Sequence, residues 1–280
     1  MSFRDILAVI LSAEDDKPAM RAAQIVAKKS GAHLGAAFLI ALPDEPLAYE
    51  PSVVAGVWAE LLSRARNDAA AERAKVEAML ASGGGQTVDL RMGEALARDL
   101  GRVAGVHARY ADLCVLTRPS AEGLDGRHDL VEGVLFNSGR PALIAPPGWN
   151  GDTIGVRPLL AWDASREATR ALSESYDLID GAEAVMVVTI DAKAKMFGHG
   201  ESPGANIAAH LARRGAKAEV RNVDGAGRSQ ADIILEQAAA FNADLIIMGG
   251  YAHARIREYM FGGATRDMLE KANVPMLMAH

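Results

Sequence analysis

Residues 242–250 read NADLIIMGG. Four apolar residues, Leu245 to Met248, follow an Ala-Asp pair and run directly into two glycines. A strand with one wet face alternates polar and apolar positions. One with no polar position inside is buried on both faces, as in a parallel sheet covered by helices. The same grammar occurs earlier, at 110–116, as YADLCVL. Each of these runs is followed by a helical stretch and then a Pro-led apolar run, RPALIAP at 140–146 and VPMLMAH at 274–280.

The repeat extends to the segments before these runs. Residues 4–40 and 157–190 each give a short apolar run, a polar turn and an Ala-rich helical stretch. Gly31-Ala32 or Gly181-Ala182 and a second apolar run follow. Internal self-similarity of this kind predicts two tandem α/β units, each of β-α-β-α-β-α-β-α-β type. The turn formers of the segment 146–152, PPGWNGD, place the boundary near 150, giving 1–150 and 151–280. The first unit carries an insertion at 41–81, with a Pro-containing loop and a long helix near 53–81 that ends at Gly83-Gly84-Gly85. In the second, Gly198, Gly200, Pro203 and Gly204 mark a loop before a helix near 204–214.

Of 280 residues, half are apolar and 24% are charged, which excludes a disordered or collagen-like chain. Thirty Lys and Arg against 36 Asp and Glu give a net charge of −6, the wrong sign for non-specific nucleic-acid binding. Cys114 is the one cysteine, so no intramolecular disulfide and no zinc site of paired cysteines can form. Its setting, ADLCVL, reads as a buried inert thiol. No stretch reaches the roughly 18 apolar residues of a membrane span, and the N-terminal apolar run is too short for a signal peptide. The expected location is the cytoplasm.

In an open parallel sheet, ligands bind beyond the carboxyl ends of the strands, where the strand order reverses. In the second unit the loops placed to meet there are 162–165, WDAS, and 249–253, GGYAH. Gly262-Gly263-Ala264-Thr265 opens the last helix, whose free first-turn amides suit a phosphate.

Residues 248–280, MGGYAHARIREYMFGGATRDMLEKANVPMLMAH, resemble the universal stress protein family, and the likeness extends over nearly the whole chain in that family's tandem two-domain form. The resemblance implies a five-stranded parallel sheet of order 3-2-1-4-5 in each unit. It also implies an adenine nucleotide, ATP or a relative, with no metal beyond a nucleotide-associated magnesium ion. Nucleotide-binding members carry Gly-x2-Gly-x9-Gly-(Ser/Thr). Gly249 matches the first glycine and Gly262 the third. Ala252 stands where the second belongs, and Gly263 where the hydroxyl residue belongs, with Thr265 two residues on. Asp163 matches the acid after the first strand, and Thr189 lies near the adenine-facing position of the second. The implied site is therefore Asp163, Ala164, Thr189, Gly249, Gly250, Ala252, His253, Gly262, Gly263, Ala264 and Thr265. The family dimerises through its last strand, so the two units are expected to pair as an intramolecular pseudo-dimer, with homodimers beyond that.

The first unit departs further. Its first strand ends in Leu11-Ser12 with no acid matching Asp163, and residues 117–120 read TRPS, with no glycine pair. Its last helix begins near His128-Asp129, and Asp129 is expected to hold the electrostatic place of a phosphate. No nucleotide is expected there.

Simpler readings stand beside these. Asp163 can serve only as a helix cap, and Gly249-Gly250 only as a turn. His253 can be an ordinary surface histidine. His199, Glu201 and His210 fit no common zinc spacing. The nucleophile-elbow, zinc-protease and P-loop motifs are absent, which points to binding rather than catalysis. Three alternatives stay open: a scaffold working through protein partners, a nucleotidyl-transfer or hydrolase enzyme of the related adenine-nucleotide group, and an apolar ligand under helix 53–81 near Trp58.

Overall fold

A computed structural model describes residues 2–45, 51–81, 87–119, 126–193, 202–250 and 263–280. The chain divides into two compact units, Arg4–Arg140 and residues 1–3 with Pro141–His280. This division falls ahead of the Pro- and Gly-rich segment 146–152, because the strand before that segment pairs into the second unit.

In the first unit, β1 (Asp5–Ile10), β2 (His33–Leu42), β3 (Val88–Leu96) and β4 (Leu113–Thr117) lie in the order β3-β2-β1-β4, all parallel. Strand β4 is buried throughout and β1 throughout except at Asp5, as uniformly apolar strings require. The helices are α1 (Lys17–Ser30), α2 (Pro51–Ala81), α3 (Leu100–Ala108) and α4 (Arg127–Asn137). Helix α1 lays its small stripe Ala19, Ala22, Ala23 and Ala27, with Met20 and Val26, on the sheet. Helices α3 and α4 touch backbone to backbone. A Cβ on Gly133 would stand 1.9 Å from the Gly101 carbonyl oxygen. Burial pushes the Cys114 thiol up to about 12, so it stays protonated near neutral pH.

In the second unit, β6 (Pro158–Ala161), β7 (Val185–Ile190), β8 (Ala218–Val223), β9 (Leu245–Gly249) and β10 (Met276–Ala279) run parallel in the order β8-β7-β6-β9-β10. Counted along this half of the chain, that is the expected 3-2-1-4-5. Strand β5 (Ala142–Ala145), the Pro-led run of the first sequence repeat, pairs antiparallel with β10, Ala142 opposite Met278 and Ile144 opposite Met276. The helices are α5 (Arg166–Ile179), α6 (Ala205–Arg213), α7 (Gln230–Phe241) and α8 (Gly263–Lys271).

The Ala-Asp pairs of the sequence repeat have one structural role in both units. Asp244 accepts the N–H groups of Val156 and Arg157, each at 2.9 Å. Asp112 accepts those of Arg4 and Asp5 at 2.8 and 3.0 Å. In each case the acid ahead of the fourth strand holds the backbone leading into the first. That sets the register of the two strands flanking the crevice, where the strand order reverses.

Candidate functional site

In the second unit the crevice lies beyond the carboxyl ends of β6 and β9. Strand β6 ends at Ala161, and residues 162–165 turn the chain into α5. The exposed Asp163 accepts the Ser165 N–H through Oδ1 at 2.9 Å, and Ala164 sits at φ +60° between them. The helix cap is Ser165 rather than Asp163: its Oγ accepts the Ala168 N–H at 3.0 Å. Among the described residues, Asp163 Oδ2 has no partner.

Gly249 ends β9 against this turn. A Cβ there would stand 2.6 Å from the Ala168 nitrogen and 2.8 Å from Glu167 Cβ. Glycine is therefore required for the strand end to meet the first turn of α5. The Gly250 N–H donates to the Ala279 carbonyl at 2.9 Å, and His280 Nδ1 lies 3.1 Å from the Gly250 carbonyl. Asp163, Ala164, Gly249 and Gly250 thus share one end of the sheet.

Thr189 lies one strand over, fully buried near the end of β7, with its hydroxyl donating to Asn222 Oδ1 at 3.1 Å. What β7 presents at that end is backbone. The next residue beyond the strand, Asp191, has φ +49° and accepts the Gly225 N–H at 2.8 Å. Gly263 is the exposed first residue of α8, Ala264 is half-buried and Thr265 is buried at 5% exposure. Ala252, His253 and Gly262 lie outside the described residues.

The corresponding crevice of the first unit is built differently. Asp16, fully buried, accepts the N–H groups of Leu11 and Ser12 on Oδ2 at 2.7 and 3.0 Å. Arg127, 5% exposed and first in α4, donates Nη1 to Asp16 Oδ1 and Nη2 to Oδ2, the latter at 3.2 Å. The next amide, Ala13 N–H, donates to Glu72 Oε1 of α2 at 2.7 Å. Lys75 and then this amide hold the Glu72 carboxyl below the usual carboxylate range. The Thr117 hydroxyl at the end of β4 donates to the Asp15 carbonyl at 3.4 Å. Three consecutive amides beyond β1 are thus taken up by the chain's own carboxylates.

Asp129 stands in the first turn of α4, as expected, and is exposed. A second acid, Asp16, is delivered to the head of the helix from the β1 loop and meets Arg127. Sequence reasoning missed Asp16 and Arg127 because they stand far apart in the chain and neither belongs to a motif. The available signal was an arginine opening the last helix, where the second unit has Gly263.

Among the described residues, no group of three His, Cys, Asp or Glu is placed to hold a metal ion. His210 is engaged with the Tyr176 hydroxyl at 2.7 Å, and His199 and Glu201 lie outside the described residues. No described helix is long and apolar enough to cross a membrane.

The universal stress protein family model matches residues 157–280. This match to the family falls within the second unit. The fold of both halves follows the same pattern. A universal stress protein from Archaeoglobus fulgidus DSM 4304 superposes with a TM-score of 0.64 at 14% identity, covering 98% of this chain and 95% of that one. A functionally unknown protein from Pseudomonas aeruginosa PAO1 superposes with a TM-score of 0.54 at 15% identity, covering 99% and 92%. At such identities the likeness is one of fold. No curated protein matches the sequence. The matched residues contain the Asp163 and Gly249 crevice, and the Asp16–Arg127 crevice lies outside them.

Proposed function

We propose that this universal stress chain works by binding, and that residues 157–280 hold an adenine nucleotide beyond the carboxyl ends of β6, β7 and β9. The observation that carries the reading is the close approach of Gly249 to the first turn of α5, with the exposed Asp163 carboxylate beside it. A strand end pressed against a helix start, at the point of strand-order reversal, is the usual place of a nucleotide in such sheets. Asp163 Oδ2 is available to accept from a ribose hydroxyl. The β7 backbone beyond Thr189 offers amide and carbonyl groups to the base. The first-turn amides of α8, at Gly263 and Ala264, suit phosphate oxygens. The nucleotide brings the phosphate anion, and any magnesium ion travels with it, since no described acid cluster supplies a metal site.

No described group combines a nucleophile with a base and an orienting partner, so hydrolysis is expected to be slow and incidental. The same proposal places the protein in the cytoplasm. It gives the first half a structural or partner-binding role, because its crevice is filled by Asp16 and Arg127.

Calorimetric titration with ATP, on protein checked for carried-over nucleotide, tests the reading. One nucleotide per chain is expected, with affinity reduced at least about tenfold, or about 1.4 kcal/mol, in Asp163→Ala. No heat up to millimolar ATP, without bound nucleotide at the start, removes the proposal.

A further inference from the structure

We infer that the first unit contains a small-oxyanion site that the protein keeps filled with its own Asp16 carboxylate. The argument starts from what surrounds that carboxylate. It is fully buried and takes four donors: the Leu11 and Ser12 N–H groups and both terminal nitrogens of Arg127. Two adjacent amides at a strand end, a guanidinium fork and the start of α4 form a cradle for a planar or tetrahedral oxyanion. The cradle sits beyond the carboxyl ends of β1 and β4, the two strands between which the order reverses, where such folds take ligands.

Asp16 lies five residues after Leu11 and reaches back into the cradle, so it is an intramolecular anion at very high effective concentration. A free anion cannot compete with it. The first unit therefore does not respond to phosphate-bearing ligands in the native protein, and the cause is occupancy of the cradle rather than its loss. Among the described residues a second acid, Asp15, 70% exposed, lies with Oδ2 4.0 Å from Arg127 Nη2. It disfavours a second anion at the mouth. Glu72 holds the third amide, Ala13 N–H, and closes the side toward α2.

The test removes the internal anion and supplies an external one. In Asp16→Ala the full chain is expected to melt about 10 °C lower than the parent, because the buried Arg127 loses the Asp16 carboxylate. Formate or inorganic phosphate at constant ionic strength is expected to recover at least half of that loss, saturably. The parent and the double variant Asp16→Ala/Arg127→Met are expected to gain no comparable shift. Asp15→Asn added to Asp16→Ala should lower the phosphate concentration needed. Asp16→Ser, which is shorter and leaves the cradle open, gives the same readout if the alanine variant folds poorly.

Equal shifts in parent and variants overturn the inference, as do variants that neither anion recovers. Because Asp163 and Gly249 are untouched, ATP binding in the second half is expected to persist in Asp16→Ala, so this result stands or falls apart from the nucleotide proposal.

Discussion

The two crevices occupy the same place in two copies of one strand order, yet they differ in where their polar groups point. In the second unit, Asp163 stays exposed, uses one oxygen on its own turn and leaves the other unpartnered among the described residues. In the first, Asp16 is buried and both its oxygens accept, from Leu11, Ser12 and Arg127. The difference shows that duplicated folds can keep an exposed acid in one crevice and bury an ion pair in the other without changing strand order. A buried, fully hydrogen-bonded ion pair removes a site by satisfying its donors.

The comparison can be broken most directly at Arg127. Arg127→Met leaves the Asp16 carboxylate buried without its cation, and urea unfolding is expected to show a loss of about 3–5 kcal/mol. Asp163→Ala, at an exposed position, should change the same measurement by under about 0.5 kcal/mol. Equal losses would mean the two acids do not differ as described.

The glycines of the second crevice sharpen the contrast further. Gly249→Val drives side-chain atoms into the first turn of α5, with an expected loss of about 1–3 kcal/mol and weaker ATP binding. Gly263→Ala meets nothing within 4 Å and should leave stability within about 0.5 kcal/mol. Thermal unfolding of the two variants side by side checks this.

Ser165→Ala deletes the α5 cap and is expected to cost about 1 kcal/mol.

The smallest effect is expected at the opposite end of the first sheet. His33 bridges Asp5 and Asp89, each at 2.8 Å. The Asp5 hydrogen bond above all raises its pKa above the ordinary 6.5, burial opposes it, and the Asp89 hydrogen bond adds a smaller upward push. A raised pKa stabilises the fold fully below the unfolded value and loses that contribution as pH rises through the folded one. With His33 and both acids at least two-fifths exposed, the parent should exceed His33→Gln by roughly 0.5 kcal/mol at pH 5.5, and by less at pH 8.5. A difference that grows with pH would contradict this.

Much of this architecture was legible along the chain. The uniformly apolar strings ADLCVL and NADLIIM announced buried parallel strands, and the repeat announced two copies, because side-chain burial on both sheet faces leaves no polar position. Asp163 and Gly249 were found because each lies next to a strand end and belongs to a local motif. The purpose of the Ala-Asp pairs was not legible. Asp112 and Asp244 bond amides at the start of another strand, over a hundred residues away for Asp112 and nearly ninety for Asp244. The pairing of Asp16 with Arg127 was hidden for the same reason, since a contact across 111 positions leaves no periodicity to read.

The sequence by itself determined the fold class, the duplication, the order of elements and the glycine-lined end of β9. These follow from local hydrophobic patterning and turn chemistry, which act over a few residues. The tertiary structure decided which crevice keeps an exposed acid and which is filled. It also decided that β5 runs antiparallel to β10, a pairing partner no local pattern names. The physical reason is that burial and hydrogen-bond partnership depend on distance in space. A carboxylate a few residues past a strand becomes an exposed turn acid or a buried counter-ion according to what a distant part of the chain brings to it.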